Sequence, residues 1–237
     1  MYDQSRLSVG LAGLLAGLVC ACAERPTITV TGPITDLGNG EPLADARVCL
    51  TDSELCTETN ESGRFEFIGV AAEKPHSLSV DLHGYLAGLI PFTARAIDKE
   101  LAVISLGGDI IIDLQMAVLN TEVEPGRGQV VFSISNGIFG DRINVPGISV
   151  TLSPGGGSPP HYLSSGGLPD LDLSQTSDNG GGLIVNLPPG LHTLSHQNLP
   201  AGCTTILGWS GPESLRIPVQ ADRVTYARIE CSEPNSD

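Results

Sequence analysis

Two short stretches of this chain share one pattern. Thr59–Phe67 reads TNESGRFEF, and Thr176–Ile184 reads TSDNGGGLI. In both stretches, small polar side chains can hydrogen-bond to the local backbone, and the glycine that closes the polar part accepts a positive φ. The pattern predicts a tight turn that leads into a core strand. A calcium loop would need a longer series of oxygen ligands, whereas the turns TNESG and TSDNG each offer one carboxylate, Glu61 or Asp178.

Three other blocks of the chain repeat in the same order. The matched residues are 113–117 positions apart for the turn and the two blocks after it, and 102 positions apart for the block before it. Such a spacing is the length of a domain and too long for a solenoid unit. The matched blocks are Pro42–Leu50 with Asn144–Leu152, His76–Ser79 with His192–Ser195, and Ile104–Ile111 with Ile217–Val224. We therefore predict a duplicated domain.

Both repeats have the alternation of apolar and polar residues that is typical of β-strands. Ala46, Val48 and Leu50 alternate with polar neighbours, and so do Phe65 and Phe67. The apolar run at 110–114 predicts a short strand that is buried on both faces. Because 29 glycines and 17 prolines supply frequent turns, the sequence predicts an all-β sandwich or barrel.

The charge of the chain excludes one class of partner. With 27 acidic and 12 basic residues, the formal net charge is −15. A chain this acidic is a poor match for a phosphate backbone, so no nucleic acid is expected as a partner. Hydrophobic residues make up 41% and charged residues 16% of the chain, a composition that predicts a folded protein and not a disordered one.

The N-terminal segment has the composition of an export signal. Residues 7–23 are apolar or small and uncharged, which suits the hydrophobic region of a secretory signal peptide. The residues from Val19 to Cys22 resemble the lipobox of bacterial lipoproteins. This resemblance implies that a signal peptide of residues 1–21 is removed and that Cys22 carries a lipid. An ordinary signal peptide and an uncleaved membrane anchor are the alternatives.

Four cysteines follow the lipobox, namely Cys49, Cys56, Cys203 and Cys231. An even number of cysteines in an exported chain favours disulfides. A metal site is the weaker interpretation, because no pair has the two-to-four-residue spacing of a zinc site. Pairing within each repeat, Cys49 with Cys56 and Cys203 with Cys231, is the simplest arrangement.

The first repeat resembles a carboxypeptidase regulatory-like domain, which is a transthyretin-like β-sandwich. The matching features are Gly32–Ile34, Asn39–Val48, Thr59–Phe67 and His83–Tyr85. The second repeat keeps Pro146–Val150 and the TSDNG turn, but it lacks the two phenylalanines. The resemblance implies two tandem antiparallel β-sandwiches of Ig-like or transthyretin-like type after the signal segment. The expected divisions are a first sandwich at 27–119, a linker at 120–128 and a second sandwich at 129–232.

The chain shows no set of side chains that would form an active site. His192 and His196 would share a metal ion on a helix, but on a predicted strand they lie about 13 Å apart. The glycines at 155–157 are not followed by the lysine of a phosphate loop. The isopeptide cross-link of Gram-positive adhesins needs a lysine on an early strand, which neither Lys74 nor Lys99 provides. Domains of the family that the chain resembles carry no catalytic residues, so no enzyme activity, cofactor or metal is expected.

These observations favour a non-catalytic lipoprotein of the cell envelope, with a structural or binding role and a lipid anchor in the membrane. Ala23 after the lipobox cysteine favours the outer membrane by family analogy. The alternative is a secreted accessory module that binds carbohydrate or protein and partners a separate hydrolase. An envelope protein or an envelope glycan is the expected partner.

The best place for a binding site is the long, proline- and glycine-rich loop Ser153–Gln175 of the second repeat. His161 and Tyr162 lie in this loop, and Trp209 in another loop could supply a second aromatic surface. The alternative is a solvated loop without a ligand, and a tryptophan that packs near Cys203.

Overall fold

The computed structural model describes residues 26–136 and 143–232. These residues form strands and one short helix. The elements are β1 (Thr27–Asp36), β2 (Arg47–Leu50), β3 (Cys56–Glu58), β4 (Arg64–Ala71), β5 (Lys74–Asp81), β6 (Gly88–Ala94), β7 (Lys99–Glu100), β8 (Ile104–Leu106), α1 (Asp109–Val118), β9 (Gly128–Asn136), β10 (Ile143–Asn144), β11 (Ser149–Ser153), β12 (His161–Leu163), β13 (Pro169–Asp170), β14 (Gly181–Leu187), β15 (Gly190–Gln197), β16 (Cys203–Leu207), β17 (Ser214–Val219) and β18 (Val224–Cys231).

The first half of the chain is a sandwich of two sheets. In one sheet, β1 pairs with β4 on one side and with β7 and β8 on the other. The facing sheet has the order β3-β2-β5-β6 and is antiparallel throughout. Alternate residues of β1 point inward, and Val30 and Ile34 are fully buried. Together with Phe65 and Phe92 they form the core between the sheets. The predicted β-sandwich is confirmed.

The second half repeats this arrangement and shares a sheet with the first half. One sheet contains β14, β9 and β18, and the facing sheet has the order β11-β15-β17. β18 also pairs in parallel with β6 of the first half, with Val224 opposite Gly88. A continuous sheet therefore runs through both sandwiches in the order β13-β12-β14-β9-β18-β6-β5-β2-β3. The sequence predicted two sandwiches but not that one sheet would run through both.

A buried threonine forms the same two hydrogen bonds in both halves, which supports the predicted duplication. Thr59 Oγ1 accepts a hydrogen bond from Ala46 N at 2.9 Å and donates one to Leu43 O at 2.6 Å. Thr176 makes the same pair of bonds, at 3.0 and 2.7 Å, with the backbone of the segment before β11. Each threonine therefore attaches the predicted turn to the strand that the repeat places beside it.

The glycines of the two predicted turns have left-handed backbones. The φ angles of Gly63 and Gly180 are 70° and 69°. A Cβ on Gly63 would lie 2.5 Å from Ile34 O, so a larger residue would clash with the backbone of β1. In the first turn, Asn60 Oδ1 accepts hydrogen bonds from the N–H groups of Ser62 and Arg64, both at 3.0 Å. The prediction of tight turns that lead into core strands is confirmed.

One of the two missing phenylalanines of the second repeat is replaced by a phenylalanine on the neighbouring strand. In the first half, Phe65 of β4 lies opposite Gly32 of β1, and a Cβ on Gly32 would lie 2.9 Å from Phe65 Cζ. In the second half, Gly182 of β14 lies opposite Phe132 of β9, and a Cβ on Gly182 would clash with the Phe132 ring. The large and the small residue have exchanged strands, so an aromatic ring occupies the equivalent place in each core.

One of the predicted repeat matches is wrong. Ile104 of β8 lies opposite Ile34 of β1, and Ile229 of β18 lies opposite the equivalent residue of β9. β18 is therefore the counterpart of β8, and Ile217–Val224 does not correspond to Ile104–Ile111. Most of Ile217–Val224 belongs to β17 and the turn after it. The reason is that the second half contains β16, an additional strand between β15 and β17 that shifts the register of the repeat.

The predicted strand at residues 110–114 is also wrong, because this segment begins helix α1. Ile110 is 82% exposed and Leu114 is 46% exposed, so the run is not buried on both faces. The apolar residues that pack inward, one buried and two partly buried, follow helical spacing, with neighbours three or four positions apart. This face packs on the sheet of the second half, and its members are Ile112, Met116 and Leu119, against Leu183 and Val185. Tertiary contact with the second half therefore outweighs the strand propensity of the isoleucines.

The predicted signal peptide and Cys22 lie outside the described residues. Within 26–136 and 143–232, no helix is long and apolar enough to cross a membrane. The predicted linker at 120–128 begins after the end of α1 and reaches the first residue of β9, Gly128. Whether the two halves fold independently stays a prediction.

Candidate functional site: the junction between the two sandwiches

Each half contains one disulfide, and each bond joins two neighbouring strands. Cys49 and Cys56 lie opposite each other on β2 and β3 and are bonded. Cys203 and Cys231 are bonded in the same way across β16 and β18. This is the pairing within each repeat that the sequence favoured. Because such bonds persist in oxidising compartments, they indicate an extracytoplasmic protein.

Tyr162 is a core residue. Its side chain is 3% exposed, and its ring lies edge-on to Phe132 with the centroids 5.9 Å apart. Its hydroxyl accepts a hydrogen bond from Val150 N at 2.8 Å. The ring therefore cannot serve as the exposed aromatic surface that the sequence predicted. The reason is that part of the loop folds back as β12 and turns Tyr162 into the sandwich.

The Ser153–Gln175 loop forms a hairpin that widens the shared sheet. β12 pairs with β14, and β13 pairs with β12. His161 is half-buried beside a polar hollow that is also lined by Glu124, Arg127 and Asn186. Burial lowers the pKa of His161 below its ordinary value of 6.5, so its ring is neutral at neutral pH. Of the predicted loop residues, His161 is therefore the one that lines a surface hollow.

Trp209 lies at the junction between the two sandwiches. Its side chain is half-buried, and its indole Nε1 donates a hydrogen bond to His76 O of the first half at 2.7 Å. The neighbouring Gly208 N donates to Pro91 O, also at 2.7 Å. Trp209 therefore connects the two halves, a role that its position in the sequence does not indicate.

Further side chains strengthen the junction. Arg223 Nη2 lies 3.0 Å from Asp81 Oδ1 of the first half, and Val224 N donates to Ala87 O at 2.8 Å. Tyr226 packs against the core of the first half. Burial raises the pKa of Tyr226 well above its ordinary value, so the phenol stays neutral. These contacts fix the orientation of the two sandwiches.

A groove of about 590 Å³ follows the junction on one side, and we call it the seam groove. Trp209, Ile97 and the cations Arg95 and Lys99 line it, together with the hydroxyls of Thr93, Thr204, Thr205 and Ser210. Burial, and then the charge of Arg95, lower the pKa of Lys99. Among the described residues, neither cation forms an ion pair with a carboxylate. Asp98 also lines the groove, and its Oδ1 accepts a hydrogen bond from Thr29 N at 2.8 Å.

A second hollow of about 650 Å³, the interdomain pocket, lies elsewhere between the halves. Its walls come from α1 and β8 on one side and from β9, β14 and residues 163–168 on the other. The walls are mainly apolar and include Ile112, Val131 and Leu183. The sequence does not reveal this pocket, because its walls are distant along the chain.

Two of the histidines bond to backbone carbonyl groups inside the fold. His76 and His192, which the repeat predicts to be equivalent, are both buried. Their Nε2 atoms lie 2.7 and 2.9 Å from the carbonyl oxygens of Ala71 and Pro188. In the part of the chain that the structure describes, no group of three or more His, Cys, Asp or Glu side chains could hold a metal ion.

The solved structures to which the chain is similar include a cohesin–X-dockerin complex and two pilins. One is a chain of a type II cohesin–X-dockerin complex from Acetivibrio cellulolyticus, with 24% identity, 32% of this chain and 52% of that chain covered, and a TM-score of 0.28. Another is the minor pilin of Streptococcus agalactiae, with 11% identity and a TM-score of 0.32. This match covers 89% of this chain and 98% of the pilin chain. A third is a shaft pilin of Lactobacillus rhamnosus, with 9% identity and a TM-score of 0.27. This match covers 88% of this chain and 99% of the pilin chain.

The match spans about half the length of the cohesin–X-dockerin chain. None of the three TM-scores reaches 0.5, so the fold assignment rests on the strands and pairings described above. A comparison with curated proteins finds no match.

A family model does match part of the chain. The matched residues, 29–106, run from β1 to the end of β8 and include the TNESG turn and the Gly32–Phe65 contact. They comprise most of the first sandwich and end before the second begins. The first sandwich is therefore supported as a carboxypeptidase regulatory-like domain.

Proposed function

We propose that this chain is a non-catalytic structural module of the cell envelope, held in the outer membrane by a lipid on Cys22. The observation that carries the structural role is the sheet shared by both sandwiches. Because β6 and β18 are hydrogen-bonded and Trp209 and Arg223 tie the same junction, the two halves form one stiff unit. A stiff unit can hold a bound partner at a defined distance from the membrane.

The anchor places this unit with one end near the membrane. Cys22 precedes β1 by only a few residues. β1 has 10 residues, and at about 3.3 Å per residue its last residue lies about 30 Å from its first. The two disulfides support export, since they require an oxidising compartment.

Cell fractionation of a Cys22→Ser variant tests the anchor, and Cys20→Ser is the matched control. We expect wild type and Cys20→Ser in the membrane fraction with a lipidated N-terminal Cys22 by mass spectrometry. Cys22→Ser should lose the lipid and leave the outer membrane. Membrane-bound, unmodified Cys22→Ser protein with an intact residue 1 would contradict the proposal, and an unlipidated wild type in the medium would favour the secreted accessory module.

A second candidate function, binding of an envelope glycan, is favoured by the seam groove. Arg95 and Lys99 line it without a carboxylate partner among the described residues, next to the chain's single tryptophan. An aromatic ring beside hydroxyls and two cations suits an acidic sugar, whose ring faces are apolar and whose carboxylate is charged. This function would fit either the anchored protein or the secreted accessory module.

Calorimetric titration with tetragalacturonate tests the glycan hypothesis, with its methyl ester as the uncharged control ligand. Lys99→Gln should weaken binding about tenfold. Arg47→Gln removes an exposed cation on β2 that does not line the groove and has no ion-pair partner among the described residues, so it should leave binding unchanged. Equal binding of the acid and its ester, or equal effects of the two variants, would rule out recognition at Lys99.

A further inference from the structure

The interdomain pocket has the size and composition of a ligand site. Its volume of about 650 Å³ lies within the range of roughly 300–1,000 Å³ that is typical of small-molecule clefts. Both halves contribute walls, and the junction contacts hold these walls in place. The pocket is therefore preorganised, so the free energy of ligand binding is not reduced by the cost of forming the site.

The rim of the pocket exposes apolar side chains. Leu37, Val103 and Leu114 line it and are 49%, 37% and 46% exposed. Large hydrophobic residues exposed around one hollow are typical of a surface that contacts a ligand or partner. Leu37 directly follows β1, Val103 directly precedes β8 and Leu114 lies in α1, so their convergence depends on the tertiary structure.

One buried polar group faces this apolar environment. The Gln115 side chain lines the pocket and is 6% exposed. Its amide forms no hydrogen bond within the described part of the chain, yet its atoms are not among the fully enclosed polar atoms that lack a partner. The amide is therefore accessible from the pocket, where a ligand can donate a hydrogen bond to it or accept one from it.

The charges around the pocket restrict the ligand further. No aspartate, glutamate or lysine lines it among the described residues. Arg228 does line it, but its guanidinium lies 3.1 Å from Glu230 and both side chains are buried. A charged ligand would therefore lose its hydration without gaining a free counter-ion.

We infer that the interdomain pocket binds a small uncharged amphiphile, with its hydrocarbon body against the apolar walls and one polar group hydrogen-bonded to Gln115. Amide, ester, hydroxyl and amine groups are all suitable, because the glutamine side chain both donates and accepts. The site is independent of the lipid anchor and of the seam groove.

A matched pair of fluorescent probes tests this inference. N-phenyl-1-naphthylamine is uncharged and carries one N–H, and 8-anilinonaphthalene-1-sulfonate has the same rings with an added sulfonate. The full chain is used with Cys22→Ser in every sample, so that neither lipid nor detergent competes. We expect saturable binding of the uncharged probe, and binding of the sulfonate that is at least tenfold weaker. Equal or tighter binding of the sulfonate would overturn the inference.

Two variants of α1 locate the site. Gln115→Leu keeps the volume and removes the amide, and it should weaken the uncharged probe threefold to tenfold, as expected for the loss of one hydrogen bond. Ile110→Ser, at a residue that does not line the pocket, should leave binding unchanged. Binding that is unchanged or tighter in Gln115→Leu would refute the role of the amide.

Two further measurements test whether the Gln115→Leu variant is folded and whether the protein is a monomer. Far-UV circular dichroism identifies a Gln115→Leu protein that fails to fold, and in that case Leu114→Ser at the rim replaces it, with threefold or greater weakening expected. Light scattering measures the oligomeric state at the same concentrations. If the uncharged probe binds only after dilution of a dimer, a second copy of the chain covers the pocket and the inference is wrong.

Discussion

The exchange of glycine and phenylalanine between strands makes a prediction about coupling in the core. In the first half, a Cβ on Gly32 would lie 2.9 Å from Phe65 Cζ and 3.2 Å from Leu101 Cβ. The ring would have to move by several tenths of an ångström to restore ordinary contact. Phe65 is 2% exposed and its centroid lies 5.9 Å from that of Phe67, so little space is free.

The magnitudes follow from this geometry. Gly32→Ala should lower the free energy of unfolding by about 1–3 kcal/mol, as overpacking does. Phe65→Ala should lower it by about 3–5 kcal/mol, because it leaves a cavity. In the double variant, the new methyl group enters the space that the ring has left. Gly32→Ala should therefore cost at least about 1 kcal/mol less in the Phe65→Ala background than in wild type.

Urea unfolding followed by far-UV circular dichroism measures all four proteins of this cycle. Gly155→Ala is the control, because no atom lies within 4 Å of its Cβ position, and its effect should stay within about 0.5 kcal/mol. Additive costs in the double variant would refute the reasoning that the ring excludes a side chain at position 32. A Gly32→Ala variant as stable as wild type would refute it as well.

The structure makes three other predictions. Thr176→Val should lower the free energy of unfolding by about 1–3 kcal/mol in urea titrations, because it leaves a buried N–H and a buried carbonyl without partners; an effect below 0.5 kcal/mol would argue against the bonds. The Tyr85 hydroxyl donates a hydrogen bond to Asp36 at 2.6 Å and lowers the pKa of Asp36 below its ordinary value of 3.8. This bond therefore stabilises the fold above about pH 4, and the stabilisation is lost as the pH falls through the lowered pKa. The difference in melting temperature between wild type and Tyr85→Phe should therefore shrink on acidification, and a constant difference from pH 7 to pH 2 would contradict this linkage. Fragments 27–122 and 126–237 should each melt cooperatively, because each half has its own core, but at lower temperatures than the whole chain; calorimetry that finds no transition in either fragment would indicate one fused core.

The sequence by itself determined the features that depend on neighbouring residues. The TNESG and TSDNG turns were predictable because a positive φ at the glycine and side-chain bonds to the local backbone are short-range effects. Strand alternation around Val48 and Phe65 was predictable because side chains of a strand alternate between core and solvent. The pairing of the cysteines within each repeat followed from chain distance, since nearby residues close a loop at small entropic cost.

Only the tertiary structure decided what lies between the two sandwiches. Residues 110–114 have strand propensity, but they form a helix because the second half offers an apolar surface to Ile112 and Met116. Trp209 looked like a ligand platform in the sequence, and it bonds to the first half because β6 and β18 come together. The interdomain pocket around Gln115 has the same origin. Such contacts join residues that are far apart in the chain, and no local preference specifies which surface of one half will meet the other.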